Sequence, residues 1–95
     1  MKALVFSPAA EADLDAIWEY SDDHWGTEQA DRYIDDIVAV CRALATGAKR
    51  GRLVDVRPGY LKHAAGSHMI YFREMADRVE VIRILHVRQD IGRHL

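Results

Sequence analysis

Four histidines in the second half of the chain, His63, His68, His86 and His94, run among the arginines Arg73, Arg83, Arg88 and Arg93. Imidazole and guanidinium groups are the parts of a metal-free phosphodiester cleavage. Such a reaction needs a base for the 2′-hydroxyl, a cation for the charge that develops at phosphorus, and an acid for the leaving oxygen. Arg83 and His86, however, are three residues apart on what reads as one strand, and alternation sends them to opposite faces. A histidine at a strand end also serves as a hydrogen-bonded structural residue, so the residue types permit this chemistry without requiring it.

Other chemistries fit less well. Tetrahedral zinc sites show paired ligands at short intervals. Here His63 and His68 lie five apart across a predicted turn, His86 and His94 eight apart, and Cys41 is the only cysteine. No metal or cofactor is implied. Gly47-Ala48-Lys49-Arg50-Gly51-Arg52 has glycines and cations, but it follows a helix and lacks the Gly-Lys-Ser/Thr ending of a phosphate-binding loop. Tyr71 and Phe72 are adjacent and point to opposite faces, so only one could stack on a base; the pattern predicts one in the core and the other partly exposed. Cys41 excludes an intramolecular disulfide and, on an apolar helical stripe, reads as a small core residue.

These residues must be positioned by a small α+β domain. Ala3-Leu4-Val5-Phe6 reads as a first strand, and Ser7-Pro8 as a helix start, with serine capping free amides and proline preset for the first helical position. Ala10, Leu14, Ile17 and Ser21, with Trp18 beside them, form one face of a helix that should run to about His24. Trp25-Gly26-Thr27 breaks the pattern, with Thr27 as the expected N-cap of a second helix. That helix carries Ala30, Tyr33, Ile34, Ile37, Cys41, Leu44 and Ala45 at helical spacing and ends before Gly47. So short a link makes the helices an antiparallel hairpin. Residues 47–59 read as a basic loop. Three strands follow, Tyr60 to about Ala65, Ser67 to Arg73 and Arg78 to Val87, with turns at Gly66 and at Met75-Ala76-Asp77. The last strand is the most apolar and is expected centrally. The order β-α-α-β-β-β places an N-terminal strand and a helical hairpin on a mainly antiparallel sheet.

At 95 residues and 49% hydrophobic content, residues 1–95 are expected to form one domain. No signal peptide or membrane span is visible, because the opening apolar run stops at Ser7-Pro8, and a cytoplasmic location follows. The net charge of −2 conceals an asymmetry: residues 1–47 carry three basic against ten acidic residues, and residues 48–95 ten basic against five acidic. A polarised chain of this kind suggests a basic face turned to an anionic partner.

Across nearly the whole length the chain resembles the ParE branch of the RelE/ParE toxins. The likeness is carried by Ser7-Pro8-Ala9-Ala10 with Asp13-Leu14, Ile17 and Tyr20, and by Trp25-Gly26 with Gln29-Ala30 and Tyr33. It continues through Arg57-Pro58-Gly59-Tyr60, then His68-Met69-Ile70-Tyr71-Phe72-Arg73, and finally Ile82 to Asp90 with Arg93-His94-Leu95. The resemblance implies the toxin of a type II toxin–antitoxin module that inhibits DNA gyrase, and so replication, by binding rather than catalysis. It also implies a ParD-like antitoxin in a complex of two toxins and two antitoxins, with no sequence-specific DNA binding of its own. RelE-like relatives instead cut messenger RNA on the ribosome with basic residues, histidine and a C-terminal tyrosine. Here the last tyrosine is Tyr71, and the ending is ParE-like except at Gln89 and Gly92. A third reading is a non-toxic relative that only binds its antitoxin. The resemblance nominates Arg83, His86, Arg88, Asp90, Arg93 and His94 as target contacts, Trp18 and Trp25 as antitoxin contacts, and no catalytic residue.

Overall fold

The computed structural model describes residues 2–89 and 91–95. In chain order it contains β1 (Ala3–Phe6), α1 (Pro8–Trp25), α2 (Thr27–Thr46), β2 (Arg52–Leu53), β3 (Leu61–Ala65), β4 (His68–Glu74), β5 (Arg78–His86) and a 3-10 turn at Ile91–Arg93. One sheet runs in the order β1-β5-β4-β3-β2, antiparallel except for the parallel β1–β5 pair. Strand, hairpin and meander are those expected from the sequence. The last strand is interior, between β1 and β4, while β4 occupies the middle. The 47–59 segment is more than a loop, since β2 pairs Arg52 with Lys62 and Leu53 with Leu61.

Ser7 caps α1 as its type predicts: the residue is extended, and its Oγ accepts the Ala10 N–H at 3.0 Å. A cap of this kind is worth about 1 kcal/mol. The same hydroxyl donates to the Ile82 carbonyl at 2.7 Å, so it also ties α1 to β5. Between the helices the expectation for Thr27 is corrected. Gly26, at φ 88°, donates to the Asp22 carbonyl to close α1 and accepts the Ala30 N–H to open α2. Glycine alone adopts that φ without strain, so it takes the cap and Thr27 moves one place inside, its hydroxyl donating to Asp22 Oδ1 at 2.6 Å.

The hairpin buries Ala10, Ile17, Ile37, Cys41 and Leu44 against Ile70, Phe72, Val79, Val81 and Ile84. Burial pushes the Cys41 thiol up to about 12, which keeps it protonated and inert at neutral pH. The opposite sheet face is packed too. Tyr71, Leu85 and Val54 form a second core, joined by Tyr60, Met69 and the tail residues Ile91 and Leu95. Tyr71 and Phe72 therefore do point to opposite faces, but both are buried, and neither is left partly exposed as the sequence suggested.

One irregularity decides which side chains share a face. Tyr71 pairs with Arg83 and Phe72 with Val81, so Ile82 is an extra residue in β5. Strict alternation from Val79 and Val81 would have put Arg83 and Leu85 under the helices. The bulge hands that face to Ile84 and His86 instead, and turns Arg83 and Leu85 to the side of Tyr71.

Candidate functional site

β1 stops at the pair Phe6–Val81, so β5 continues beyond its neighbour with one edge uncovered. α1 closes that edge with side chains. Asp13 Oδ2 accepts the Ile84 N–H at 2.9 Å, and the same carboxylate receives Arg83 Nε and Nη2, each at 2.8 Å. The remaining arm of the fork, Arg83 Nη1, donates to the His94 carbonyl at 3.3 Å. Arg83 thus links the helix layer to the C-terminal tail around the sheet edge. The hydrogen bond to Asp13 raises its pKa above the usual guanidinium value, against an opposing effect of burial. The tail itself folds back through His94 N–H and Leu95 N–H to the Ile91 carbonyl, which seats Ile91 and Leu95 on Tyr71 and Leu85.

A polar chain lies on the helix side at the end of the sheet. The Tyr33 hydroxyl accepts the Ser67 N–H at 3.0 Å and meets His68 Nδ1 at 2.7 Å, and the rings of His68 and His86 stand edge to face at 5.4 Å. The direction of the Tyr33–His68 bond depends on the imidazole tautomer: a neutral His68 protonated on Nε2 accepts from the Tyr33 hydroxyl, and one protonated on Nδ1 donates to it. Desolvation lowers the His68 pKa below 6.5, the charge of His86 lowers it further, and Asp13 acts in the opposite sense. His86 Nδ1 accepts the Arg88 N–H at 3.2 Å, and the His86 N–H donates to Gln89 Oε1 at 2.7 Å. The turn that places His68 is Gly66-Ser67. Gly66 has φ 59°, and a Cβ there would lie 2.7 Å from Tyr33 Cε1.

Beside this chain opens a largely apolar groove of about 640 Å³, walled by Ile17, Tyr20, Trp25, Tyr33, His68 and His86. Its outer lip is an aromatic cluster at the hairpin tip. Tyr20 stacks on His24 at 4.0 Å, and Trp25 lies against both at 6.0 and 5.5 Å. Trp25 is 64% exposed and Tyr20 57%, a large apolar area for so small a molecule to leave in water.

Residues 4–91 match the family model described as ParE toxin of type II toxin-antitoxin system, parDE. The chain belongs to the ParE toxin family. It is 39% identical over 93 residues to Toxin ParE1 of Mycobacterium tuberculosis, covering 96% of this chain and 95% of that one. With Toxin ParE1 of Caulobacter vibrioides it shares 40% identity over 96 residues, covering 100% and 99%. The toxin fold matches a chain of the chromosomal ParDE TA system from P. aeruginosa with a TM-score of 0.81 at 27% identity, covering 93% of this chain and 98% of that one. The YoeB/ParE toxin from Agrobacterium tumefaciens, at 20% identity, shares the fold with a TM-score of 0.60 over 90% of this chain and 98% of that one. As a ParE toxin of a type II system, the protein has an antitoxin partner.

On this ParE scaffold the residues singled out from the sequence are dispersed. Arg83 is held by Asp13 and the tail carbonyl, on the face opposite His86, which lines the groove. Arg88 and Arg93 are exposed, His94 is half-buried, and Asp90 lies outside the described residues. Trp25 stands on the groove lip, while Trp18 is half-buried and donates from Nε1 to Asp31 Oδ1 at 2.8 Å. Sequence reasoning noted Tyr33 and His68 but not their meeting. The Gly66 turn signal pointed there, since it fixes which residue faces α2. Asp13 entered only among the residues that carry the resemblance, and nothing in the sequence paired it with a residue seventy positions away.

Proposed function

We propose that this ParE-family toxin acts in the cytoplasm by binding DNA gyrase and blocking replication, and that a ParD-like antitoxin silences it in a complex of two toxins and two antitoxins. The observation that supports a binding rather than a cleaving toxin is the separation of Arg83 from His86. A nuclease needs its cation and its base on one substrate. Here alternation along β5 sends them to opposite faces, and Asp13 already occupies the Arg83 fork. Tyr71, the last tyrosine, is buried, and burial raises its pKa, so it is no acid or base for a bound RNA.

The groove beside the exposed Tyr20-His24-Trp25 cluster suits the apolar face of an antitoxin helix, which docks by anchors one turn apart. An antitoxin tail that folds as it binds would cover the patch that the free toxin leaves in water. Induced expression of the toxin, with and without its neighbouring antitoxin frame, tests the reading. DNA synthesis should stop while protein synthesis continues, and co-expression should restore growth. Protein synthesis stopping first would contradict it.

A further inference from the structure

The ten acidic residues of the first half of the chain all lie in α1 and α2, whereas a group of cations gathers on the sheet face turned away from the helices. The register shows which. Arg52 pairs with Lys62 and Lys62 with Tyr71, so all three share the face of Tyr71, and Arg73 lies two residues further along β4 on that side. Arg57 joins them from the β2–β3 loop: its guanidinium stands 5.4 Å from the Tyr60 ring centroid, and that of Arg73 5.8 Å from the same ring. Two like charges thus converge on one aromatic. Among the described residues, Arg52, Arg57, Lys62 and Arg73 make no ion pair, while Lys2, Arg32, Arg78 and Arg83 each have a carboxylate. Glu80, opposite Arg73 in register, is 3.7 Å from Arg78 Nε.

We infer that this face, Arg52, Arg57, Lys62 and Arg73 around Tyr60, is a sequence-independent site for the phosphodiester backbone of duplex DNA. Four cations without counterions on one face are a phosphate-binding footprint. Duplex rather than single strand follows from the aromatics. Single-stranded nucleic acid is held by exposed rings on which bases stack, but Tyr71 and Phe72 are buried and Tyr60 has two arginines against its ring. A face of this kind contacts phosphates and reads no base edge. The inference deepens the gyrase reading by naming what the toxin touches beside the enzyme, and its binding test needs no gyrase.

The experiment is fluorescence anisotropy of a labelled duplex of about 20 base pairs with the full chain, at rising salt. For about four phosphate contacts, affinity should fall on the order of a hundredfold between about 50 and 200 mM salt. Arg57→Ala with Arg73→Ala should weaken binding and reduce the log–log salt slope by about 2. Arg32→Ala with Arg42→Ala, an equal change of net charge on α2, should leave the slope unchanged. Four results would overturn the inference: no salt-dependent binding, equal loss in the helix-layer variant, tighter binding to single strands of the same length, or equally tight binding to oligoglutamate of matched charge. Supercoiling assays on the same proteins separate the two claims. Gyrase inhibition that survives without DNA binding sinks the inference alone, whereas DNA binding by a toxin that leaves gyrase active supports this face and sinks the gyrase reading.

Discussion

Asp13 and Arg83, seventy residues apart, are joined by two hydrogen bonds of 2.8 Å, and through Arg83 the first helix holds the last residues of the chain. Both side chains are largely withdrawn from water, so this pair differs from the exposed pair of Arg32 and Glu28 on α2. An exposed pair contributes at most about 1 kcal/mol. Removing one partner of a shielded pair leaves the other charge and, here, the Ile84 N–H without an acceptor. Asp13→Ala should therefore lower stability by about 2–4 kcal/mol in urea denaturation. Arg83→Lys should recover only part, because an ammonium cannot reach both Asp13 oxygens and the His94 carbonyl. A loss as small as that of Arg32→Ala would contradict the bridging role.

His68 should titrate below the ordinary imidazole value of 6.5, because burial and the neighbouring His86 disfavour its charged form. The sign follows from linkage. A base whose folded pKa is depressed contributes stability that is fully present above the unfolded value, and this is lost as pH falls from about 6.5 through the folded value. NMR titration of the His68 ring reads this directly. With the Tyr33 hydroxyl donating to a neutral His68, the Tyr33→Phe variant removes that donor and should move the His68 midpoint upward; an unmoved or lowered midpoint would assign the opposite direction to the bond. A wild-type midpoint at or above 6.5 would contradict the arrangement.

Gly66→Ala should cost about 2–3 kcal/mol, combining an unfavourable φ with a clash. The new Cβ would lie 2.8 Å from the Tyr33 hydroxyl oxygen. In a Tyr33→Ala background the clash disappears and only the backbone strain remains, so the cost should fall. A double-mutant cycle measures the difference, and strict additivity would show that the tyrosine is not the obstacle.

Trp25→Ala should leave the urea midpoint unchanged, since the ring is largely in solvent, yet weaken binding of the antitoxin at least tenfold if the groove is its seat. The intrinsic fluorescence of the wild-type toxin should shift to shorter wavelength as Trp25 is covered. Unchanged affinity would place the antitoxin elsewhere.

Leu95→Asp should loosen the tail by setting a charge against the Tyr71-Leu85-Val54 core. A loss of about 1–3 kcal/mol is expected. Deleting Arg93-His94-Leu95 should abolish toxicity while sparing antitoxin binding, which a growth assay paired with co-purification resolves. Toxicity that survives the deletion would remove the tail from the target surface.

Much of the fold was legible because its signals are local. Ser7-Pro8 begins a helix, Gly26 ends one, the stripe from Ala30 to Ala45 buries one face of α2, and Gly66 turns the chain between β3 and β4. What escaped depends on contacts between distant segments. β2 has only two residues, too few to alternate, and exists because Arg52 and Leu53 meet Lys62 and Leu61. The Ile82 bulge has no local mark, yet it decides that His86 rather than Arg83 faces the helices. Tyr71 is buried rather than open because Ile91 and Leu95 return over it, and the sequence pattern does not record where a tail lands. The cations of the sheet face were visible as a basic half-chain, but only the β2–β3–β4 register places Arg52, Lys62 and Arg73 side by side.

The central claim is tested most directly with purified toxin, gyrase, ATP and relaxed plasmid, run beside a cell-free translation of a reporter messenger. The account predicts loss of supercoiling with trapped cleaved DNA, while the messenger stays intact. Cut messenger with supercoiling unaffected would contradict it, and would turn attention to His68 and His86 in the groove as the start of a nuclease site.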